Sequence, residues 1–510
     1  MKYYAQQLVR YPAMGISVDF SKLILSQDFL EGLKPQIARA FSDMEALEGG
    51  AIANPDENRM VGHYWLRNSD LAPTPELKAL IDEPIAALKK FSYSILSGET
   101  LAPNGHAYTT CLVIGIGGSA LGPELLADAL PNNGLQMRFL DNTDPDGMLK
   151  VLSRLPLQET LVVVISKSGG TPETRNGMVV AQNFFAAHDV AFAPQAVAVT
   201  GIDSSLDKVA VAEGWLQRFP MEDWVGGRTS VTSVVGLVPA ALQGVDIDHL
   251  LQGARDMDAR TRVQDMNINA AMKLALSWYK AGEGKGLKDM VVLPYKDSLC
   301  LFSKYLQQLI MESIGKELDR EGNVVHQGVT VYGNKGSTDQ HAYVQQLRDG
   351  IHNFFTCFIE VRQSPNDFVE VEEGFTSGNY LQGFLRGTRK ALTESGRESL
   401  TISIPTVSAY SLGMLIALFE RTVSFYSSLI NINAYHQPGV QAGKLAANVF
   451  LSLLKNVQGE LSSAPATAIA IAEKLDADVE DCYHALVHLS ESGKAKWNMA
   501  DYPTNDTFYV

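Results

Sequence analysis

Cysteine is scarce in this 510-residue chain. Cys111, Cys300, Cys357 and Cys482 lie far apart, and no CxxC pair occurs. A cysteine-based zinc or redox motif is thereby excluded, and the four thiols read as reduced core residues. Positive charge is also short: 42 Lys and Arg stand against 57 Asp and Glu, a formal net charge of −15. Such a chain repels nucleic acid and anionic membrane at long range. A small anionic substrate must then be captured by local dipoles and a few placed cations. The start, Met1-Lys2-Tyr3-Tyr4-Ala5-Gln6-Gln7, has none of the apolar core of a secretory signal. The longest apolar stretch, Val407 to Ile430, is broken by Ser408, Ser411 and Glu420-Arg421, so it reads as a buried helix and not as a membrane span. Exact repeats and low-complexity tracts are missing too. These absences lead us to expect a soluble, cytoplasmic protein with neither nucleic acid nor membrane as partner.

What the chain does have is core-forming material. Hydrophobic residues make up 46% and charged residues 19%, and the length implies more than one folding unit. Residues 1–105 read as mainly helical, with breaks at Pro12, Pro55, Pro73 and Pro103. Short β-branched runs then alternate with longer amphipathic stretches. Cys111–Ile114, Leu161–Ile165 and Ala196–Val199 read as parallel strands buried on both faces. Beyond the glycine-rich segment 281–286, Met290–Pro294, Val329–Tyr332, Phe355–Ile359 and Leu400–Ile404 repeat the pattern. Strand, turn and helix in repetition predict two doubly wound α/β subdomains, 106–285 and 286–460. The tail, 461–510, reads as two short helices, Ala466–Leu475 and Val479–Ser492. Their spacing suits a helix-turn-helix. From Ser463 onward, however, eight acidic residues face three basic ones, the wrong sign for phosphate contacts. The tail is therefore expected to be a packing or oligomer appendage.

Six motifs punctuate this frame. Gly115-Ile116-Gly117-Gly118-Ser119 follows a strand and opens a helix, a place that suits an anion or merely a tight turn. It departs from the dinucleotide fingerprint because the sixth position is Ala120. Ser166-Lys167-Ser168-Gly169-Gly170-Thr171-Pro172-Glu173-Thr174 carries four hydroxyls at the carboxyl end of a strand. That density exceeds what one helix cap needs and forms a phosphate cup. Gly226-Gly227-Arg228-Thr229 aims one guanidinium, although alone it also reads as a surface arginine. The fourth runs from Gln308 to Lys316; around it Phe302, Leu306, Leu309, Ile310 and Ser313 form a helical stripe. Gln308 and Glu312 share another face, where a partly desolvated carboxylate suits proton transfer. The alternative there is an i,i+4 pair of Glu312 with Lys316. Gly336 to His341 ends a polar loop in a potential acid or base. Gln437-Pro438-Gly439 to Lys444 is a turn and helix presenting a lysine. His484 and His488 share spacing fit for a metal, but no third ligand lies nearby in sequence.

Together and in this order, over about residues 110–450, the six motifs closely resemble the glucose-6-phosphate isomerase family. The resemblance implies sugar-isomerase (SIS-type) subdomains, no metal or organic cofactor, a sugar-phosphate substrate and a homodimer with a shared active site. It implies that Ser166, Lys167 (by its backbone), Ser168 and Thr171 hold the phosphate. Gly118, Ser119, Gln308 and Gln437 would contact the sugar. Glu312 would be the isomerisation acid–base and Arg228 its support. His341, reaching across from the other subunit, and Lys444 would open and close the ring, with Glu173 orienting His341. The chain departs from the family pattern at Thr229, where an aromatic residue is usual, at Ala434-Tyr435-His436 before Gln437, and at Ser337-Thr338-Asp339. These departures surround the catalytic positions and replace none of them. An isomerase or aldolase for another sugar phosphate would share the phosphate cup. A sugar-phosphate-sensing regulator would not need Glu312, Arg228, His341 and Lys444 together.

Overall fold

The structure is a computed structural model describing residues 2–510, with the side chains of residues 2, 3, 440–442 and 444 outside the description. The chain separates into two compact units, Met1–His436 and Gln437–Val510.

Among its described residues the first unit holds two large sheets and two small two-stranded ones. One has five parallel strands in the order Gln136–Leu140, Thr110–Ile114, Thr160–Ile165, Ala196–Thr200 and Gln217–Pro220. Thr110–Ile114, Thr160–Ile165 and Ala196–Thr200 are buried at every position, as expected for strands covered by helices on both faces. The second sheet has six strands in the order Leu8–Tyr11, Ile16–Lys22, Ser399–Ile404, Phe354–Val361, Asp289–Pro294 and Val331–Tyr332. The last four are parallel to one another. The doubly wound α/β expectation is borne out as a fold class; Gln136–Leu140 and Gln217–Pro220 are additional strands, and of Val329–Tyr332 only Val331–Tyr332 is one.

The N-terminal region corrects the helical reading in part. Leu8–Tyr11 and Ile16–Lys22 form a hairpin, and Ile16–Lys22 pairs antiparallel with Ser399–Ile404. Val9, Tyr11, Ile16, Val18 and Phe20 are buried. This alternation is short and easily lost beside the long helical patterns that follow. The rest of the region is helical, chiefly Lys34–Glu48 and Pro75–Leu96.

Val407 to Ile430 folds as the helix Ala409–Leu429, which opens on a Ser408–Ser411 capping box and is buried almost throughout. It packs against Ile247–Thr261, Ala270–Ala281 and Lys34–Glu48. Among the described residues, no helix is long and apolar enough to cross a membrane. The charges that interrupt its sequence are paired inside. Arg67 lies 2.7 Å from both Glu420 and Asp258, and Arg421 reaches Asp258 at 3.3 Å and pairs with Glu48.

The sequence reading starts the appendage at 461, whereas the second compact unit starts at Gln437. The reason is apolar burial: Phe450, Leu453, Leu454 and Val457 of the helix Pro438–Glu460 join the core of the tail. The helices Ala468–Leu475 and Val479–Glu491 follow, and a hairpin of Lys496–Asn498 with Thr507–Tyr509 closes the unit, bridged at Phe508 to Ala466. Helix, bridge, two helices and hairpin make a winged-helix arrangement. The exposed face of Val479–Glu491 carries Glu480, Asp481, His484, His488 and Glu491, which is unsuited to nucleic acid. His484 lies near Glu480 at 3.8 Å, and no metal-holding group of three or more His, Cys, Asp or Glu occurs among the described residues.

Candidate active site

The cup forms where a buried strand gives way to a helix. Thr160–Ile165 ends at Ser166, and the next helix, Pro172–Ala187, starts with a proline. Thr171 is its N-cap residue, yet its side chain makes no capping bond. Its hydroxyl lies 3.5 Å from that of Ser166. Gly169 and Gly170 donate their N–H groups to Ser166 Oγ (3.1 Å) and Ser168 Oγ (3.2 Å). Gly169 has φ +68°, and a Cβ there would stand 2.2 Å from the Leu206 nitrogen, so the turn admits only glycine. The loop thus carries hydroxyls that no helix cap consumes. Ser166, Gly169, Gly170 and Thr174 line a cavity of about 410 Å³ whose remaining walls are chiefly apolar, among them Val164, Met178 and Leu206, and which Ser168 and Thr171 do not line.

Lys167 turns away from that cavity. Its Nζ donates to the carbonyls of Asp223 (2.8 Å) and Val225 (3.0 Å). Burial pushes its pKa down, and Asp223 opposes that. With the side chain so occupied, only the Lys167 main chain remains to meet a phosphate. The same bonds tie the cup loop to the segment leading into Arg228.

Arg228 sits on the turn Gly227–Thr229, packed against the turn Gly117–Ser119. A Cβ on Gly118 would stand 2.1 Å from the Gly227 oxygen, so this approach requires glycine. Ser230 Oγ donates to the carbonyls of Gly227 (2.7 Å) and Gly118 (3.3 Å) and fastens the two turns. Gln308 Nε2 would lie 3.3 Å from a Cβ on Gly117, which puts the glutamine amide beside the first glycine turn.

Arg228 is 6% exposed. Its Nε lies 3.3 Å from Glu312 Oε2, and a terminal nitrogen donates to the His436 carbonyl at 3.3 Å. Burial lowers the guanidinium pKa, while Glu312 and Glu57 raise it. Glu312 ends a π-helix, Gln307–Glu312, which continues the short helix Phe302–Leu306. π-turns are rare and concentrate at functional sites. This one buries Leu309 and Ile310 and leaves Gln308 and Glu312 half-buried together, as the helical stripe predicts. The alternative Glu312–Lys316 side-chain pair does not form: Lys316 Nζ donates instead to the Glu312 main-chain carbonyl at 2.6 Å.

The other candidates are not gathered here. His341 is exposed on the turn Thr338–His341, with no hydrogen bond or ion pair to Glu312. Buried Asp339 organises that loop by accepting from the Asn334 N–H and the Tyr343 hydroxyl. Glu173 is half-buried in the first turn of Pro172–Ala187, and its Oε2 has no hydrogen-bond partner. Ser119 is half-buried beside Gly118. Gln437 is exposed at the start of the second unit, and the Lys444 side chain lies outside the described residues. Sequence reasoning missed the N-terminal contribution. Glu57, Arg59 and His63 line a cavity of about 50 Å³ together with Lys167 and Arg228. They stand in irregular chain with no motif, so only tertiary contact reveals them.

With this geometry in hand, the chain was compared with known proteins. The family model "Phosphoglucose isomerase" matches residues 19–471. A glucose-6-phosphate isomerase of Nostoc punctiforme is 55% identical over 497 residues, covering 95% of this chain and 94% of that protein. One from Synechococcus elongatus is 57% identical over 496 residues, covering 95% and 94%. A crystal structure of a glucose-6-phosphate isomerase from Chlamydia trachomatis superposes with a TM-score of 0.81 at 26% identity, covering 89% of this chain and 91% of that one.

Proposed function

The chain belongs to the phosphoglucose isomerase family, and from that premise we propose that it interconverts glucose-6-phosphate and fructose-6-phosphate, as an enzyme of glycolysis and gluconeogenesis. The observation that carries the reading is the Arg228–Glu312 pair at 3.3 Å, with Lys167 tying the segment that leads into Arg228 to a hydroxyl-rich loop.

Aldose–ketose conversion moves a proton between carbons next to a carbonyl, and it balances without a cofactor. Ser166, Ser168, Thr171 and the Lys167 N–H hold the phosphate. Gly118, Ser119, Gln308 and Gln437 hold the sugar hydroxyls. His341 and Lys444 serve ring opening, with Glu173 orienting His341. Glu312 takes the C2 proton and returns it to C1. Arg228, fixed and largely dry, stabilises the enediolate without having to reorganise. The exposure of His341 and the lack of a hydrogen bond or ion pair from it to Glu312 support a site completed by a second copy, hence a homodimer, and a glycolytic activity suits the cytoplasm.

A coupled assay of fructose-6-phosphate formation from glucose-6-phosphate, with a panel of other sugar phosphates alongside, tests the proposal. Turnover of glucose-6-phosphate is expected. Binding without turnover would mark a sugar-phosphate sensor, and preference for another member of the panel would reassign the substrate.

A further inference from the structure

Glu312 sits where its helix runs out. The last four carbonyls of a helix have no main-chain partner within it. Here the chain passes Gly315 and enters the strand Lys316–Leu318, and the Glu312 carbonyl takes its donor from a side chain, Lys316 Nζ at 2.6 Å. A cation there also faces the negative end of the helix dipole. Lys316 is only 6% exposed, and burying an ammonium is costly unless it is compensated. A neutral donor could cap one carbonyl more cheaply, so the charge calls for an explanation. The charged and titratable groups around it are Glu312, Arg228 of the turn Gly227–Thr229, Asp56 of the N-terminal segment, and His436. Among the described residues Lys316 forms no ion pair within 4.0 Å with any of them.

We propose that Lys316 is a positioning residue for the proton transfer: its bond to the Glu312 carbonyl fixes the end of the π-turn, and its charge meets the negative end of that helix. This rests on the reading of Glu312 as the acid–base. Burial, reinforced by Arg228, pushes the Lys316 pKa down to about 7, against the opposing pull of Glu312 and Asp56. The lysine is therefore charged on the acid side of neutrality.

Lys316→Met removes donor and charge at similar length. It should lower kcat roughly tenfold to a hundredfold, the scale of a small misplacement of a reacting group, with KM little changed. Lys316→Arg, which can still donate to the carbonyl, should recover most of kcat. A residue that only supports the fold would lower the melting temperature without separating kcat from KM. Either an unchanged kcat in Lys316→Met or a loss of kcat that Lys316→Arg does not recover overturns the proposal. Should Lys316→Met fail to fold, Lys316→Gln is judged by the same two readouts. Glu312→Gln, assayed in parallel, separates the failures. Wild-type turnover in that variant sinks the acid–base reading itself, whereas an inactive Glu312→Gln beside a normal Lys316→Met misassigns only the lysine.

Discussion

At the scale of single residues, the proposed chemistry depends on one carboxylate and a set of hydroxyls. Glu312→Gln preserves shape and removes the base. Glucose-6-phosphate should bind with near-normal affinity while exchange of its C2 proton with solvent stops, as read by NMR in heavy water; exchange at the wild-type rate would falsify the assignment. Ser168→Ala and Thr171→Val act on the phosphate. Each lost bond to a charged group costs about 1.5–3 kcal/mol, so sugar-phosphate affinity should fall by that amount with melting temperature almost unmoved. If only kcat changes and affinity holds, the cup lies elsewhere. Most of these residues were legible in the sequence because their chemistry is concentrated in short runs, such as the hydroxyls from Ser166 to Thr174. Lys316 was visible but misread. Spacing alone pointed its ammonium at the Glu312 carboxylate, whereas the end of the helix leaves a main-chain carbonyl open to it. Glu57, Arg59 and His63 were invisible, since common residues in irregular chain become a cavity wall only after folding.

At the scale of elements, the site depends on two glycine turns pressed together. The sequence shows that Gly115–Ser119 and Gly226–Arg228 are turns; it does not show that they touch. Gly118→Ala tests the contact. Its methyl group would meet the Gly227 oxygen at 2.1 Å, so one turn must shift and carry Arg228 with it. A displacement on the order of 1 Å costs about a hundredfold in rate, so kcat/KM should drop by roughly that factor while circular dichroism stays native. A variant with near-normal kcat/KM would mean that the contact does not place Arg228. The parallel strands were readable from their uninterrupted β-branched runs, because both faces are buried and nothing polar is required. The hairpin Leu8–Tyr11 with Ile16–Lys22 was not, because Asp19, Ser21 and Lys22 dilute its apolar positions. The acids and hydroxyls there are justified only by distant partners: Arg389 pairs with Asp19 and reaches Ser21 at 3.3 Å. The π-turn was likewise out of reach, since it keeps Gln308 and Glu312 on one face much as an α-helix would.

At the scale of the whole molecule, a buried charge network ties the chain together, and the proposed shared site would join two copies of it. Inside, Arg67 bridges Glu420 and Asp258 with no exposure at all. Arg67→Ala takes the ion-pair partner from buried Glu420, while Asp258 keeps Arg421 at 3.3 Å, and should cost about 3–5 kcal/mol in urea unfolding; a loss under 1 kcal/mol would show that Glu420 does not depend on it. Burial pushes Glu420 up to about 7 from an ordinary 4.5. With the folded value raised, its share of stability is fully present below about pH 4.5 and is lost as pH rises through 7. Glu420→Gln should therefore flatten the pH dependence of unfolding in that window. Between copies, the proposed shared site depends on His341. It is exposed and unconnected to Glu312 within its own chain, which a site completed by a partner explains. His341→Ala and Glu312→Gln homodimers should each be severely impaired. Unfolded together in equal amounts and refolded, they should give about half mixed dimers. In each mixed dimer one site combines both mutations, and the other pairs an intact His341 from one subunit with an intact Glu312 from the other. One good site in two, on half of the dimers, returns about a quarter of wild-type activity. If both residues acted within one subunit, no intact site could form and mixing would restore nothing. Native-size dimers without recovered activity would therefore rule out the shared site while leaving Glu312 in its role, because the C2 exchange experiment tests that role on one chain's carboxylate alone.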